Sequence, residues 1–239
     1  MTEGKSVFKK IGLFILGLLI ILAWFLVSEI PTLILGFLMP VFEKPQLFIN
    51  ILLMIFWLVV LVGIIYLIWR YYMKKSGDKN IKLSGKDIWR AFVIFLVGRV
   101  IVIVGTIAMT MIYGDGQSQN DLVIEEMFGP DKPVFYVLLL AVVIAIKAPI
   151  LEELLFRGLP TALLFKKSPM WVPMLLTSLV FSSAHLSTNI ISFAMYASLG
   201  ALMYWAYASR GRIIDSMMVH FFNNIFGAIA LLVTYFSSM

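Results

Sequence analysis

The stretch APILEELLFRG, residues 148–158, places Glu152, Glu153 and Arg157 together within apolar sequence. On a helix, Glu153 and Arg157 are spaced i,i+4 and can form an ion pair. Glu152 points roughly 100° away from Glu153 around the helix axis, so it faces something else. A carboxylate that has no cation as a partner on its own helix is suited to act as a general base. The alternative is that Glu152 is a further member of a buried salt-bridge cluster.

Both histidines of the chain lie in apolar segments, His185 in FSSAHLSTN and His220 in HFFNN. Asn224 follows His220 by about one helical turn and shares its face. An imidazole and a carboxamide so placed can stabilise the oxyanion of a tetrahedral intermediate. The alternatives are polar contacts between helices, for His185 alone and for His220 with Asn224 as a pair.

Taken together, a general base and several electrophilic donors suit the attack of water on an amide. A carboxylate and two histidines with a bound water are also a hydrolase zinc pattern, so Glu152, His185 and His220 are candidate metal ligands. The helical H-E-x-x-H signature of zinc proteases is absent. The sequence leaves two alternatives open: no cofactor, with water activated by Glu152 alone, or zinc.

Composition excludes a soluble protein, because 62% of the 239 residues are hydrophobic and only 13% are charged. The chain has no cysteine, which excludes a thiolate nucleophile and a disulfide. The net charge of +6 comes from Lys and Arg in short segments between apolar runs. That distribution is typical of the positive-inside bias of membrane proteins, and no nucleic-acid partner is needed to explain it.

The apolar runs predict an all-α, polytopic membrane protein with seven or eight transmembrane helices and an active site inside the helix bundle. The predicted segments are about 11–38, 46–72, 88–113, 133–146, 152–165, 170–186, 189–208 and 213–236. Their number depends on whether Pro149 breaks or only kinks one long helix. No soluble domain fits between them, so we expect a single membrane domain, 1–239, with a motif-bearing core at about 133–239.

The basic residues predict the orientation of the N-terminal half. The lysines before the first apolar run and the basic 70–90 linker are expected on the cytoplasmic side, and the acidic 114–132 loop outside. Within the later segments, Arg99 and Lys147 are expected either to neutralise carboxylates of the site or to bind lipid headgroups. Asp215 is expected to serve the N-terminus of the last helix, and the Glu125–Glu126 pair to be solvated.

Three motifs occur in order on apolar segments: EELLFR as E-E-x-x-x-R, FSSAH as F-x-x-x-H, and HFFNN as H-x-x-x-N. In this order they resemble the CAAX-protease and bacteriocin-processing (CPBP, or Abi) family of intramembrane endopeptidases. The resemblance covers roughly 133–239 and implies hydrolysis of a peptide bond in a membrane-associated or hydrophobic peptide or protein. The implied roles are water activation by Glu152, support by Glu153 and Arg157, water binding by His185, oxyanion stabilisation by His220 and Asn224, and packing by Phe181.

The resemblance leaves the substrate and the metal dependence open. The family includes processors of prenylated C-terminal tails and bacterial members linked to bacteriocin immunity and peptide maturation. The short chain without cysteine is typical of a bacterial member, so we expect the protein in a bacterial cell membrane. A bacterial origin argues against a prenylated substrate. The expected partners are a peptide or membrane-protein substrate and the bilayer; the oligomeric state is not predicted. Two other classes are a non-catalytic membrane scaffold and a proton-coupled transporter, and the absence of matching polar sites in the two halves counts against the transporter.

Overall fold

The computed structural model describes residues 2–78 and 82–238, with side chains described from residue 8 onward. This part of the chain is helical, without strands, which confirms the all-α prediction. The helices are α1 (Thr2–Ser28), α2 (Ile30–Phe42), α3 (Leu47–Ser76), α4 (Gly85–Tyr113), α5 (Gln119–Met127), α6 (Val134–Leu163), α7 (Trp171–Ala184), α8 (Ile190–Ala208) and α9 (Ile213–Ser237).

Six helical runs in the described residues are long and apolar enough to cross a membrane. They are Phe8–Phe42, which joins α1 to α2, and the helices α3, α4, α6, α8 and α9. The 14-residue α7 is apolar but shorter. Helices suit this setting because each satisfies its own backbone hydrogen bonds in the absence of water. The chain is an integral, polytopic membrane protein. Its described residues hold six long spans and the shorter α7, where seven or eight transmembrane helices were predicted.

Pro149 does not interrupt the helix. The two predicted segments, 133–146 and 152–165, therefore form one helix, α6. Before the proline, α6 widens into a π-helical turn over Val143–Lys147, where the Ala148 N–H donates to the Val143 carbonyl. In that i→i+5 pattern the next carbonyl, that of Ile144, would need an N–H from Pro149, which has none. The Asn224 side chain on α9 supplies the donor instead, with its Nδ2 2.9 Å from the Ile144 oxygen.

A second π-helical turn, Leu154–Gly158, follows shortly after the first in α6. Between the two lies a short α-helical stretch, Ala148–Glu153, which carries both glutamates at its end. Such turns recur at functional sites because they redirect side chains within a helix. Here they determine how the charged residues of α6 are directed into the bundle.

Close packing of α7, α8 and α6 depends on Gly200 in α8. A Cβ atom at Gly200 would lie 3.1 Å from Ser178 of α7 and 3.3 Å from the Arg157 Nη2 atom of α6. The Gly200 carbonyl accepts a hydrogen bond from that same Nη2 atom at 3.3 Å. The absence of a Cβ atom at Gly200 therefore lets α8 approach the buried guanidinium this closely without displacing Ser178.

The start of α9 is anchored to α4 by an ionic cluster. Asp215 lies in the first turn of α9, as predicted, and pairs with Arg90 of α4 and with Arg210 of the preceding turn, both at 3.3 Å. Arg210 and Arg212 also pair with Asp87, in the first turn of α4. The cluster fixes the position at which α9 enters the bundle, and with it the helix that carries His220.

Candidate active site

A cavity of about 580 Å³ inside the bundle is lined by the four residues predicted from the sequence to be catalytic. Its walls come from α2, α4, α5, α6, α8, α9 and the end of α7. Glu152, His185, His220 and Asn224 all line this cavity, although they come from three separate parts of the chain. The fold therefore brings the predicted catalytic set into one place.

The predicted pairing of Glu153 with Arg157 is present and fully buried. The Arg157 Nη1 atom donates to Glu153 Oε1 at 3.0 Å, and both side chains are 0% exposed. The guanidinium also lies 4.1 Å from the ring centroid of Phe181, the residue expected to have a packing role. Such a desolvated cation over an aromatic face is a favourable arrangement. The pair lies behind the cavity wall rather than in the cavity.

His220 is held by the same buried pair. Its Nδ1 atom lies 2.8 Å from Glu153 Oε1, so Nδ1–H donates to the carboxylate. The Nε2 atom is then left for the cavity and lies 4.0 Å from Glu152 Oε2. The side chain of His220 is only 4% exposed. Glu153 therefore fixes both the ring orientation and the position of one proton.

Glu152 differs from its neighbour in exposure and in partners. Its side chain is 31% exposed and faces the cavity, whereas that of Glu153 is 0% exposed. The Oε2 atom of Glu152 is shielded from solvent and has no hydrogen-bond partner among the described residues. The two adjacent carboxylates thus have separate surroundings, as expected from their angular separation on a helix.

His185 follows the last residue of α7, and its ring is held on both sides. Nδ1 lies 2.8 Å from the Phe181 carbonyl oxygen, so it donates there and leaves Nε2 as the acceptor. The ring lies between Phe181, at a centroid distance of 4.2 Å, and Tyr196 of α8, at 4.6 Å and an interplanar angle of 27°. A hydrogen-bond acceptor fixed in this way can orient a water molecule.

Tyr196 was not identified from the sequence, because its role comes from a contact between helices. Its hydroxyl lies 2.9 Å from Ser118 Oγ and donates to Asp121 Oδ1 at 3.2 Å. Ser118 is the N-cap of α5, within the 114–132 segment that was predicted to be an acidic loop. Tyr196 therefore joins His185 to α5, and this segment forms one wall of the cavity.

Replacing Tyr196 by Leu is expected to lower the cleavage rate up to about tenfold, because an aromatic contact contributes about 0.5–1.5 kcal/mol. The effect should fall on kcat rather than KM, since the contact orients His185 and does not bind substrate. Tyr196→Phe keeps the stacked ring and should retain most of the rate. Tyr113→Leu, at an exposed tyrosine, is the control. Equal rates for the Phe and Leu variants would contradict this role.

The remaining charged candidates lie in different settings. Lys147 pairs with Glu29, between α1 and α2, at 3.0 Å, and not with a glutamate of the predicted site. Arg99 lines the cavity and donates to Asn223 Oδ1 at 3.5 Å. Glu125, expected to be solvated, is exposed and also lines the α5 wall, where it accepts from Gln117 Nε2 at 2.6 Å.

Zinc was an open alternative, and the arrangement of donor side chains bears on it. Within residues 2–78 and 82–238, no group of three or more His, Asp or Glu side chains is placed to hold a metal ion. The Nδ1 atoms of both histidines are engaged by the protein, which leaves both Nε2 atoms free, as in many metal-binding histidines. The described side chains thus include two candidate histidine ligands but no set of three around one point, and the choice between zinc and no cofactor stays a prediction.

The fold and the cavity together define a class: a polytopic helical membrane protein with a hydrolase-type set of Glu, His and Asn side chains inside its bundle. Residues 134–226 match the Rce1-like family model, which is described as type II CAAX prenyl endopeptidase Rce1-like. The match confirms the resemblance inferred from the three motifs, and the matched segment contains all of them. It supports activity as an intramembrane protease. Comparisons with curated proteins and with solved structures gave no match.

Proposed function

We propose that this protein hydrolyses a peptide bond in a membrane-associated or hydrophobic peptide, with Glu152 as the general base. The observation that carries the proposal is the exposure of Glu152 to the cavity, with His220 Nε2 4.0 Å from its carboxylate. His185 and Asn224 line the same space. A base, a water-orienting acceptor and oxyanion donors around one cavity are the groups that amide hydrolysis needs.

The proposed reaction begins with a water molecule between Glu152 and the Nε2 atom of His185. Glu152 takes a proton as the water oxygen attacks the carbonyl carbon of the substrate. The oxyanion accepts hydrogen bonds from Nε2–H of protonated His220 and from the Asn224 amide. Glu152 then gives its proton to the leaving amine as the C–N bond breaks.

Two positioning contacts support this scheme. Glu153 accepts the Nδ1–H of His220, so its charge stabilises the imidazolium that donates to the oxyanion. Asn224 uses one N–H on the Ile144 carbonyl, which leaves its other N–H for the substrate. The carbonyl left unpaired by Pro149 thereby fixes the direction of the Asn224 amide.

The proposal is tested by mass spectrometry of membrane peptides from cells that make either the wild-type protein or the Glu152→Ala variant. Peptide ends that depend on Glu152 are the expected result, and their sequences give the substrate and the cleavage site. Full biological activity of the variant with no difference in peptides would overturn the proposal in favour of a membrane scaffold. Peptide maturation and bacteriocin self-immunity are the roles that such substrates would distinguish.

We also propose that catalysis needs no metal, because Glu152 is placed to activate water directly. Purified protein treated with a chelator such as EDTA or 1,10-phenanthroline is expected to keep its cleavage rate within about twofold. The assay is peptide cleavage before and after dialysis, with metal analysis of the same sample. Loss of activity that added Zn²⁺ restores would contradict the proposal.

The cellular setting proposed from the charge distribution is a bacterial cell membrane with a cytoplasmic N-terminus. Because the chain has no cysteine, a single cysteine introduced at Asp131, whose side chain in the same 114–132 loop is 72% exposed, can be labelled selectively. Labelling of that residue by an impermeant thiol reagent on intact cells tests the orientation.

A further inference from the structure

Arg99 lies at the midpoint of a membrane-spanning helix. It is fourteen residues from Gly85 and fourteen from Tyr113, the two ends of α4. At a rise of 1.5 Å per residue, each end is about 21 Å away. Arg99 therefore lies well inside the apolar span rather than at either of its ends. A guanidinium there is costly, so its presence calls for a specific partner.

The surroundings of Arg99 contain no such partner in the described residues. Among the described side chains no carboxylate lies within ion-pair distance of it, and its hydrogen bond is to the neutral amide oxygen of Asn223 at 3.5 Å. The carboxylates that share the cavity have other contacts. Asp121 binds Ser118 and Tyr196, Glu125 binds Gln117, and Glu152 is directed towards His220.

The side chain of Arg99 is half-buried and lines the same cavity as the catalytic candidates. Its hydrogen-bond partner Asn223 donates in turn to Asn224 Oδ1 at 3.3 Å. This chain of contacts places the guanidinium on the wall next to the proposed oxyanion donor. A group bound by Arg99 would therefore lie in the same cavity as the scissile bond.

We propose that Arg99 binds a carboxylate of the substrate and so selects peptides that carry a negative charge close to the bond that is cut. The inference rests on the proposed protease function. A carboxylate is the anionic group of a peptide, and guanidinium binds it in paired, charge-assisted hydrogen bonds. Binding would supply the counter-charge that Arg99 lacks. The carboxylate has two sources: the C-terminus of the substrate or an Asp or Glu side chain.

The experiment uses synthetic peptides that span the cleavage site found by the membrane-peptide comparison, with the purified full-length chain in detergent. Each peptide is made as the free acid and as the C-terminal amide, and each acidic side chain is replaced in turn by its amide. The wild-type protein is expected to cleave the carboxylate form with a kcat/KM about 10- to 100-fold higher than the matched amide. The peptide pair that shows the preference identifies the source.

Arg99→Gln should abolish this preference by lowering kcat/KM for the carboxylate form only, and Arg99→Lys should keep part of it. Arg70→Gln, the same change at an exposed arginine of α3, is the matched control and should leave the preference intact. Elution as a monodisperse peak in detergent checks folding of each variant. Equal cleavage of acid and amide peptides by the wild type, or a preference that survives in Arg99→Gln, would overturn the inference but not the protease function. Failure to find any Glu152-dependent peptide end would overturn the protease function itself.

Discussion

Replacing Glu152 by Gln is expected to lower the rate of peptide cleavage by about 10³-fold or more, which in most assays means no detectable product. Gln keeps the size of the side chain but cannot take a proton from water, so the general base is lost. The protein should still fold, because Glu152 Oε2 has no hydrogen-bond partner in the described structure that the change would remove. The measurement is kcat/KM for the identified peptide.

The matched control is Glu126→Gln, the same substitution at an exposed position of α5. It changes the net charge by the same amount and should leave the rate unchanged. Cleavage by Glu152→Gln at more than a tenth of the wild-type rate would show that another group activates the water. Loss of activity in both variants would indicate a general effect of charge rather than a role of Glu152.

Replacing Arg157 by Met is expected to destabilise the protein by about 3–5 kcal/mol, because it leaves the buried Glu153 without its cation. Arg157 and Glu153 are both 0% exposed, so water cannot compensate for the loss. Contacts to Phe181 and to the Gly200 carbonyl are lost as well. The measurement is the free energy of unfolding by denaturant in detergent, with thermal unfolding as a second readout.

The double variant Glu153→Leu, Arg157→Met separates stability from catalysis. Removal of both charges should recover much of the stability, since replacing a buried pair by apolar side chains is often neutral. The variant should nevertheless be inactive, because His220 has lost the carboxylate that orients it. Lys132→Met, which breaks the exposed Asp131–Lys132 pair, is the control and should not change stability measurably. Wild-type stability of Arg157→Met would contradict the account of the buried pair.

Relations within one helix could be predicted from the sequence, because helical periodicity alone sets them. Glu153 and Arg157 pair as their i,i+4 spacing predicts, and Glu152 faces another direction. Length and hydropathy similarly predicted most of the spanning segments. What they could not predict was the continuity of α6 through Pro149. The missing backbone donor is replaced by Asn224, which is eighty residues away in the chain.

The sequence by itself determined the class of protein, the apolar helices and the local side-chain geometry of each motif, because these depend on composition and on contacts within a few residues. Only the tertiary structure decided which groups meet. The contact of His220 with Glu153 joins residues 67 apart, and Tyr196 reaches His185 from another helix. The sequence likewise did not predict that α5 forms a wall of the cavity, or that Arg99 lines this cavity without a carboxylate partner among the described residues. Such contacts depend on how helices pack against one another, and helical periodicity specifies which face a residue occupies but not which helix that face meets.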